Sequence, residues 1–176
     1  WSPRAFNPEF IIDNELLLSL LEAARWAPSC YGDQPWKFIV FQKQDITPWV
    51  GALNCLSVGN QNWAMDSSML IVICANRVFD HNKESNRWAQ YDTGASAENI
   101  CLQAVSLGLS THQMGGFDEE KIRKLSNIPE QFDILSIMAV GQVLKESEFT
   151  EEQIQKEKSP RKRKALNEIY FNNKWK

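Results

Sequence analysis

The sequence predicts an α+β fold in which a sheet is flanked by helices, and three observations carry that prediction. Short β-branched and aromatic runs, WKFIVFQ and MLIVICAN, alternate with helical patterns. The longest apolar run, Met69–Ala75, has the length of a buried strand and falls far short of the ~20 residues that cross a bilayer. No repeat, low-complexity tract or glycine-serine linker divides the 176 residues, and a chain of this length buries roughly two-thirds of its unfolded surface as one unit.

In chain order, Asp13 is an N-cap candidate leading into NELLLSLLEAARWA. There Leu16, Leu17, Leu20, Leu21 and Ala24 recur at helical spacing until Pro28 stops the pattern. Trp36–Gln42 and Met69–Asn76 read as buried strands. Asp92–Leu109 places Ala97, Ile100, Cys101, Ala104 and Leu107 on one stripe, which predicts a closely packed central helix ending near Gly108. Ser110–Met114 and Asp133–Val143 are two further strand candidates. Between them EEKIRKLSNI reads as a short helix that ends before Pro129. From Glu146 a polar extension runs to Lys176, charged at nearly every other place and finishing with Ile169, Tyr170, Phe171 and Trp175. Aromatic side chains on such a tail form an apolar patch that needs covering, so residues 146–176 are expected to wrap a second protomer.

Composition removes several function classes. Cys30, Cys55, Cys74 and Cys101 form no close pair and have no histidine cluster beside them, so no metal site is expected and the thiols read as free in a reducing setting. A formal charge of -3 gives no overall attraction to nucleic acid, although SPRKRK, Ser159–Lys164, is locally basic. No basic start followed by an apolar stretch marks a signal peptide, and the expectation is a cytoplasmic protein with no membrane contact. Neither GxGxxG after a strand nor GxxxxGK[ST] is present, so no Rossmann site or P-loop is supported. Seven Trp, nine Phe and three Tyr are more aromatic surface than a core of this size needs, which suits a planar ligand or a large interface.

Five stretches in order, spanning nearly the whole chain, give the sequence a resemblance to the nitroreductase family. WSPRAF, Trp1–Phe6, resembles the N-terminal RxSxRxF-type motif, which implies Ser2 and Arg4 as ligands of a flavin phosphate; the family's preceding arginine would lie before Trp1. APSCYGDQPW, Ala27–Trp36, resembles APSSxNxQPW, which implies that Pro28, Ser29, Cys30 and Tyr31 contact the flavin of the neighbouring subunit. Gly32 here replaces the usual asparagine. GNQNWAMDSSMLIVICA resembles the segment with an amide at the ring edge, and Asn60 fits that place best, Asn62 second. YDTGASAENICLQAVSLGLSTHQMGGF resembles the central helix, the following strand and a glycine turn. This implies Met114, Gly115 and Gly116 beside flavin N5 and O4, and assigns no catalysis to His112, which reads as a core or interface histidine. SPRKRKALNEI resembles K/RxRxPLxEI, implying that Arg161 and Arg163 return to the phosphate.

The resemblance implies a mainly antiparallel nitroreductase-like sheet in a homodimer, with FMN at the interface and a domain-swapped C-terminal extension. It further implies a ping-pong reaction in which NAD(P)H, as NADH or NADPH, reduces FMN, which then passes electrons to a nitroaromatic, quinone or other small electrophile. No catalytic side chain is required. Tyr31 at the variable position, with Trp63 and Trp88, is the expected substrate-facing set. Relatives of this fold also perform dehalogenation, flavin destruction and azoline oxidation, and Gly32 keeps open a non-enzymatic flavin-binding regulatory dimer.

Overall fold

The computed structural model describes residues 1–175; Lys176, the end of the expected extension, lies outside the described residues. Asp13 caps the first helix, α1 (Asn14–Arg25), its carboxylate accepting from Leu16 N. Four strands follow at the expected places: β1 (Trp36–Gln42), β2 (Met69–Asn76), β3 (Ser110–Met114) and β4 (Phe132–Gly141). They form one sheet in the order β1-β2-β4-β3, and every pairing is antiparallel.

β2 is buried along its whole length because both faces of the sheet are covered. Met69, Ile71 and Ile73 point to the face shared with α1 and with α4 (Ala89–Ser106), where Leu20, Ala24, Ala97, Ile100 and Ala104 pack. Leu70, Val72 and Cys74 point to the opposite face. There they meet Phe6, α2 (Ile46–Leu53) through Trp49 and Ala52, and α5 (Glu119–Leu125) through Ile122. A register shift between Ile73 and Cys74 skips Leu135 on β4 and lets Ile134 and Ile137 share one face.

Two boundaries differ from expectation. α4 begins at Ala89, a turn before Asp92, because Asp92 is not a solvent cap: it is buried inside the helix and accepts from Cys30 N at 2.9 Å. α5 ends at Leu125, since Asn127 takes a positive φ of 50° and turns the chain toward Pro129. Three helices have no counterpart in the sequence pattern: α2, α3 (Val58–Ala64) and α6 (Glu151–Glu157).

The N-terminal segment is stitched to the end of β4, with Asn7 N donating to Gln142 O and Leu144 N to Ala5 O. α6 folds back on its own chain, where the Glu157 carboxylate accepts from Trp1 Nε1 at 2.7 Å, Arg4 N at 2.6 Å and Ala5 N at 3.2 Å. Beyond it Leu166, Ile169, Tyr170 and Trp175 are exposed.

Candidate functional site

The residues singled out by the sequence fall into three groups on one protomer. The first is built by α3 and the turn after β3. Ser57 precedes α3 and donates its N–H to Gly116 O at 2.9 Å, and Asn60 Nδ2 donates to the same carbonyl at 3.1 Å. A Cβ on Gly116 would meet Asn60 Nδ2 and Ser57 Oγ, each at 2.9 Å, so a side chain here would push both polar groups aside. Gly115 is open on that side, and a Cβ there would meet nothing within 4 Å. Neither glycine N–H is donated to another group among the described residues. Met114 lies beneath them in the core. The structure also separates Asn60 from Asn62: Asn60 faces the glycine turn, while Asn62 is exposed and lines a cleft between α3 and α6.

The second group gathers the chain ends. Arg4 lies 5.9 Å from the Trp63 ring, which in turn stacks on His112 at 4.4 Å and on Phe6 at 6.1 Å. His112 Nδ1 is 2.9 Å from Pro3 O. Burial pushes the His112 pKa down, opposed by the Pro3 carbonyl and reinforced by the Arg4 charge, so the ring is held neutral more firmly than in water. Arg161 lies over the Trp1 ring at 4.5 Å, which brings the basic tail segment to the N-terminal stretch within one chain. Ser2 and Arg163 are exposed, and Arg163 touches only the Lys162 carbonyl. Among the described residues Arg4, Arg161 and Arg163 form no ion pair.

The third group is the loop after α1. Pro28 is exposed, and Ser29 Oγ accepts from Gln34 N at 3.0 Å. The Cys30 N–H is fixed by Asp92, a residue whose sequence context marks only a helix start. Tyr31 and Gly32 both take positive φ, 55° and 66°, so Gly32 suits a backbone that asparagine also tolerates, whereas Tyr31 is strained there. The Tyr31 ring is 81% exposed and lies against Phe79 at 5.7 Å and His81 at 5.5 Å. Trp88 joins through Phe79 at 6.4 Å. Tyr31 and Trp88 therefore share a cluster, and Trp63 does not: it serves the second group.

α3 connects the first two groups, since Asn60 and Trp63 lie one turn apart on it. No periodicity in the sequence marks Ser57, Phe79, His81, Asp92 or Glu157, because each acts through a contact distant along the chain. All four cysteines are free, and burial pushes Cys74 up to about 11. Among the described residues no three His, Cys, Asp or Glu side chains gather to hold a metal, and no helix is long and apolar enough to cross a membrane.

Comparison with known proteins supplies the wider context. The chain matches the family model described as the Nitroreductase family over residues 1–54 and 50–142. It is 30% identical over 144 residues to a protein of Archaeoglobus fulgidus named as a candidate NADH dehydrogenase/NAD(P)H nitroreductase, covering 80% of this chain and 79% of the relative. To the oxygen-insensitive NADPH nitroreductase of Helicobacter acinonychis it is 23% identical over 181 residues, covering 83% of this chain and 85% of the relative. A solved structure described as an oxidoreductase containing FMN superimposes with a TM-score of 0.90 at 31% identity, covering 100% of this chain and 89% of that one. With its family match running from the N-terminal segment to the end of β4, and its antiparallel sheet shared with such a structure, the chain belongs to the nitroreductase family.

Proposed function

We propose that the chain is an FMN-dependent oxidoreductase that takes electrons from NAD(P)H and delivers them to a small electrophilic acceptor such as a nitroaromatic or quinone. One observation carries the reading. Among the described residues the glycine turn offers two N–H groups without protein partners, beside an Asn60 amide whose Oδ1 and second N–H make no hydrogen bond. That donor and acceptor set suits the polar edge of an isoalloxazine, and a glycine cradle leaves room for a planar ring.

The remaining residues fit the same cofactor. Arg4, Arg161 and Arg163, without ion-pair partners among the described residues, and the Ser2 hydroxyl suit a phosphate. The cleft of about 460 Å³ on the inner side of Arg4 suits it less. Asp66, Glu152 and Glu157 there oppose Arg4 and Lys156, and burial pushes the Asp66 carboxyl up.

When bound, FMN supplies the two-electron chemistry: it accepts hydride at N5 and returns electrons to the acceptor. The protein's own residues orient and shield. Asn60 and the glycine N–H groups would hold the polar edge of the ring, and Pro28, Ser29, Cys30 and Tyr31 form a loop whose backbone Asp92 fixes at the Cys30 N–H.

We propose further that two copies build each site. On α4, Tyr91, Leu102 and Val105 lie on one exposed face, an apolar strip that a second copy would cover, and Leu166, Ile169, Tyr170 and Trp175 of the tail offer a further embrace. An acceptor screen tests the function: NAD(P)H should be consumed in proportion to added quinone or nitroaromatic. Consumption independent of any acceptor would overturn it.

A further inference from the structure

The loop after β2 carries a histidine to which the family resemblance gives no part. His81 stands between three partners. Its Nδ1 lies 3.6 Å from Asp33 Oδ1, an ion-pair distance, and its ring packs against Tyr31 at 5.5 Å and Phe79 at 5.2 Å. The Asp33 side chain is only 3% exposed. Its Oδ1 also accepts from Asp80 N at 2.9 Å, and its Oδ2 is buried without any hydrogen-bond partner. A buried carboxylate with one unpartnered oxygen holds the imidazole in place from one side, so Asp33 fixes which face His81 turns outward. The other side of the imidazole is open: His81 is half exposed, and its Nε2 makes no hydrogen bond among the described residues. Tyr31, Gly32, Asp33, Asp80 and His81 line an open cleft of about 610 Å³. The charged groups facing it are Asp33, Asp80 and His81, with Lys83 paired to Asp80 at 3.5 Å.

We infer that His81, braced by Asp33, is the proton donor to the electron acceptor bound against Tyr31. This rests on the oxidoreductase reading above, in which the Tyr31 loop borders the flavin. Reduction of a quinone to a hydroquinone forms two O–H bonds, one closed by a hydride at the first oxygen and one by a proton at the second. The electron pair arrives as hydride from the reduced flavin, and the proton comes from His81 Nε2. The new O–H bond forms as the N–H bond breaks, leaving a neutral imidazole beside Asp33. Water reprotonates it from the exposed side. General acid assistance of this kind contributes a factor of roughly 10² to 10⁴. Delivery of hydride from NAD(P)H to the flavin needs no such proton, so the two halves of the cycle separate the role of His81 from a general loss of fold.

The chain has only two histidines, which makes the test direct. In protein labelled with ¹⁵N-histidine, a redox-inert phenol resembling the reduced product should shift the His81 ring signal and leave that of His112 in place. D33N should abolish the shift. This readout needs no flavin, so it stands or falls apart from the oxidoreductase reading. In stopped flow, H81Q should slow quinone-driven flavin reoxidation about 10²-fold, with partial rescue by added imidazole. Flavin reduction by NADH should change by less than about 3-fold, since its barrier lacks the proton transfer. In the wild type reoxidation should show a solvent deuterium isotope effect, and H81Q should lose it. Reoxidation of H81Q at the wild-type rate, or a phenol that leaves His81 unmoved, overturns the proposal.

Discussion

Asn60 Nδ2 donates to the Gly116 carbonyl at 3.1 Å, so a helix and a glycine turn more than fifty residues apart form one rigid unit. A methyl group would disturb the contact, because a Cβ on Gly116 would meet Asn60 Nδ2 and Ser57 Oγ at 2.9 Å and displace them. G116A should therefore destabilise the protein by about 1 kcal/mol, through loss of the Asn60 hydrogen bond, and weaken FMN binding. G115A, where the same methyl meets nothing within 4 Å, should leave stability nearly unchanged. Urea unfolding of both variants, with and without FMN, checks the contrast.

Arg4 and Arg161 are exposed cations that form no ion pair among the described residues and lie over the rings of Trp63 and Trp1. Replacing either with Ala should cost roughly 1.5–3 kcal/mol of FMN affinity, the range for hydrogen bonds to charged groups. Riboflavin, which lacks the phosphate, should bind wild type and variants alike. Fluorescence titration with the two flavins separates loss of the phosphate site from loss of the ring site.

The fold is legible in the sequence where local pattern decides it. α1 has a capping Asp13 and a full apolar stripe, and β1 and β2 are uniform β-branched and aromatic runs, so their limits are those the sequence predicts. α2 and α3 escape such a reading because they are short, and VGNQNWA offers little apolar periodicity. Asp92 resembles a helix cap because an acidic residue at a pattern boundary usually is one, but its partner is Cys30, remote in sequence. Asn60 and Gly116 are each singled out only through the family resemblance, and their contact with one another carries no sequence signal. Asp33 and His81 carry no periodic or motif signal at all, since no one motif contains both.

His112 should make the protein sensitive to acid. Its folded pKa lies below the ordinary value of 6.5, so in that window the unfolded chain binds a proton that the folded chain does not. Stability accordingly rises with pH through this window and falls as pH drops below 6.5. H112Q should be less stable at neutral pH, having lost the Trp63 stacking, yet flatter across the same range. Chemical denaturation on either side of that pH measures both slopes.

The apolar strip on α4 should hold the second protomer. Leu102 and Val105 are 62% and 70% exposed in one chain, and L102D together with V105D should give a monomer that no longer retains flavin. Deleting residues 146–176 tests the embrace separately. Light scattering of the two proteins distinguishes a dimer held by the helix face alone from one that also needs the tail; an intact dimer after deletion would refute the wrapping tail.

Anaerobic titration of the purified protein with NADH or NADPH tests the central claim most directly. The protein should be yellow, carry about one FMN per chain given one ring site and one phosphate site on each, and bleach as the nicotinamide is added. Colour should return when a quinone is introduced. A colourless protein that refuses added FMN, or bound FMN that neither nicotinamide bleaches, would contradict the account.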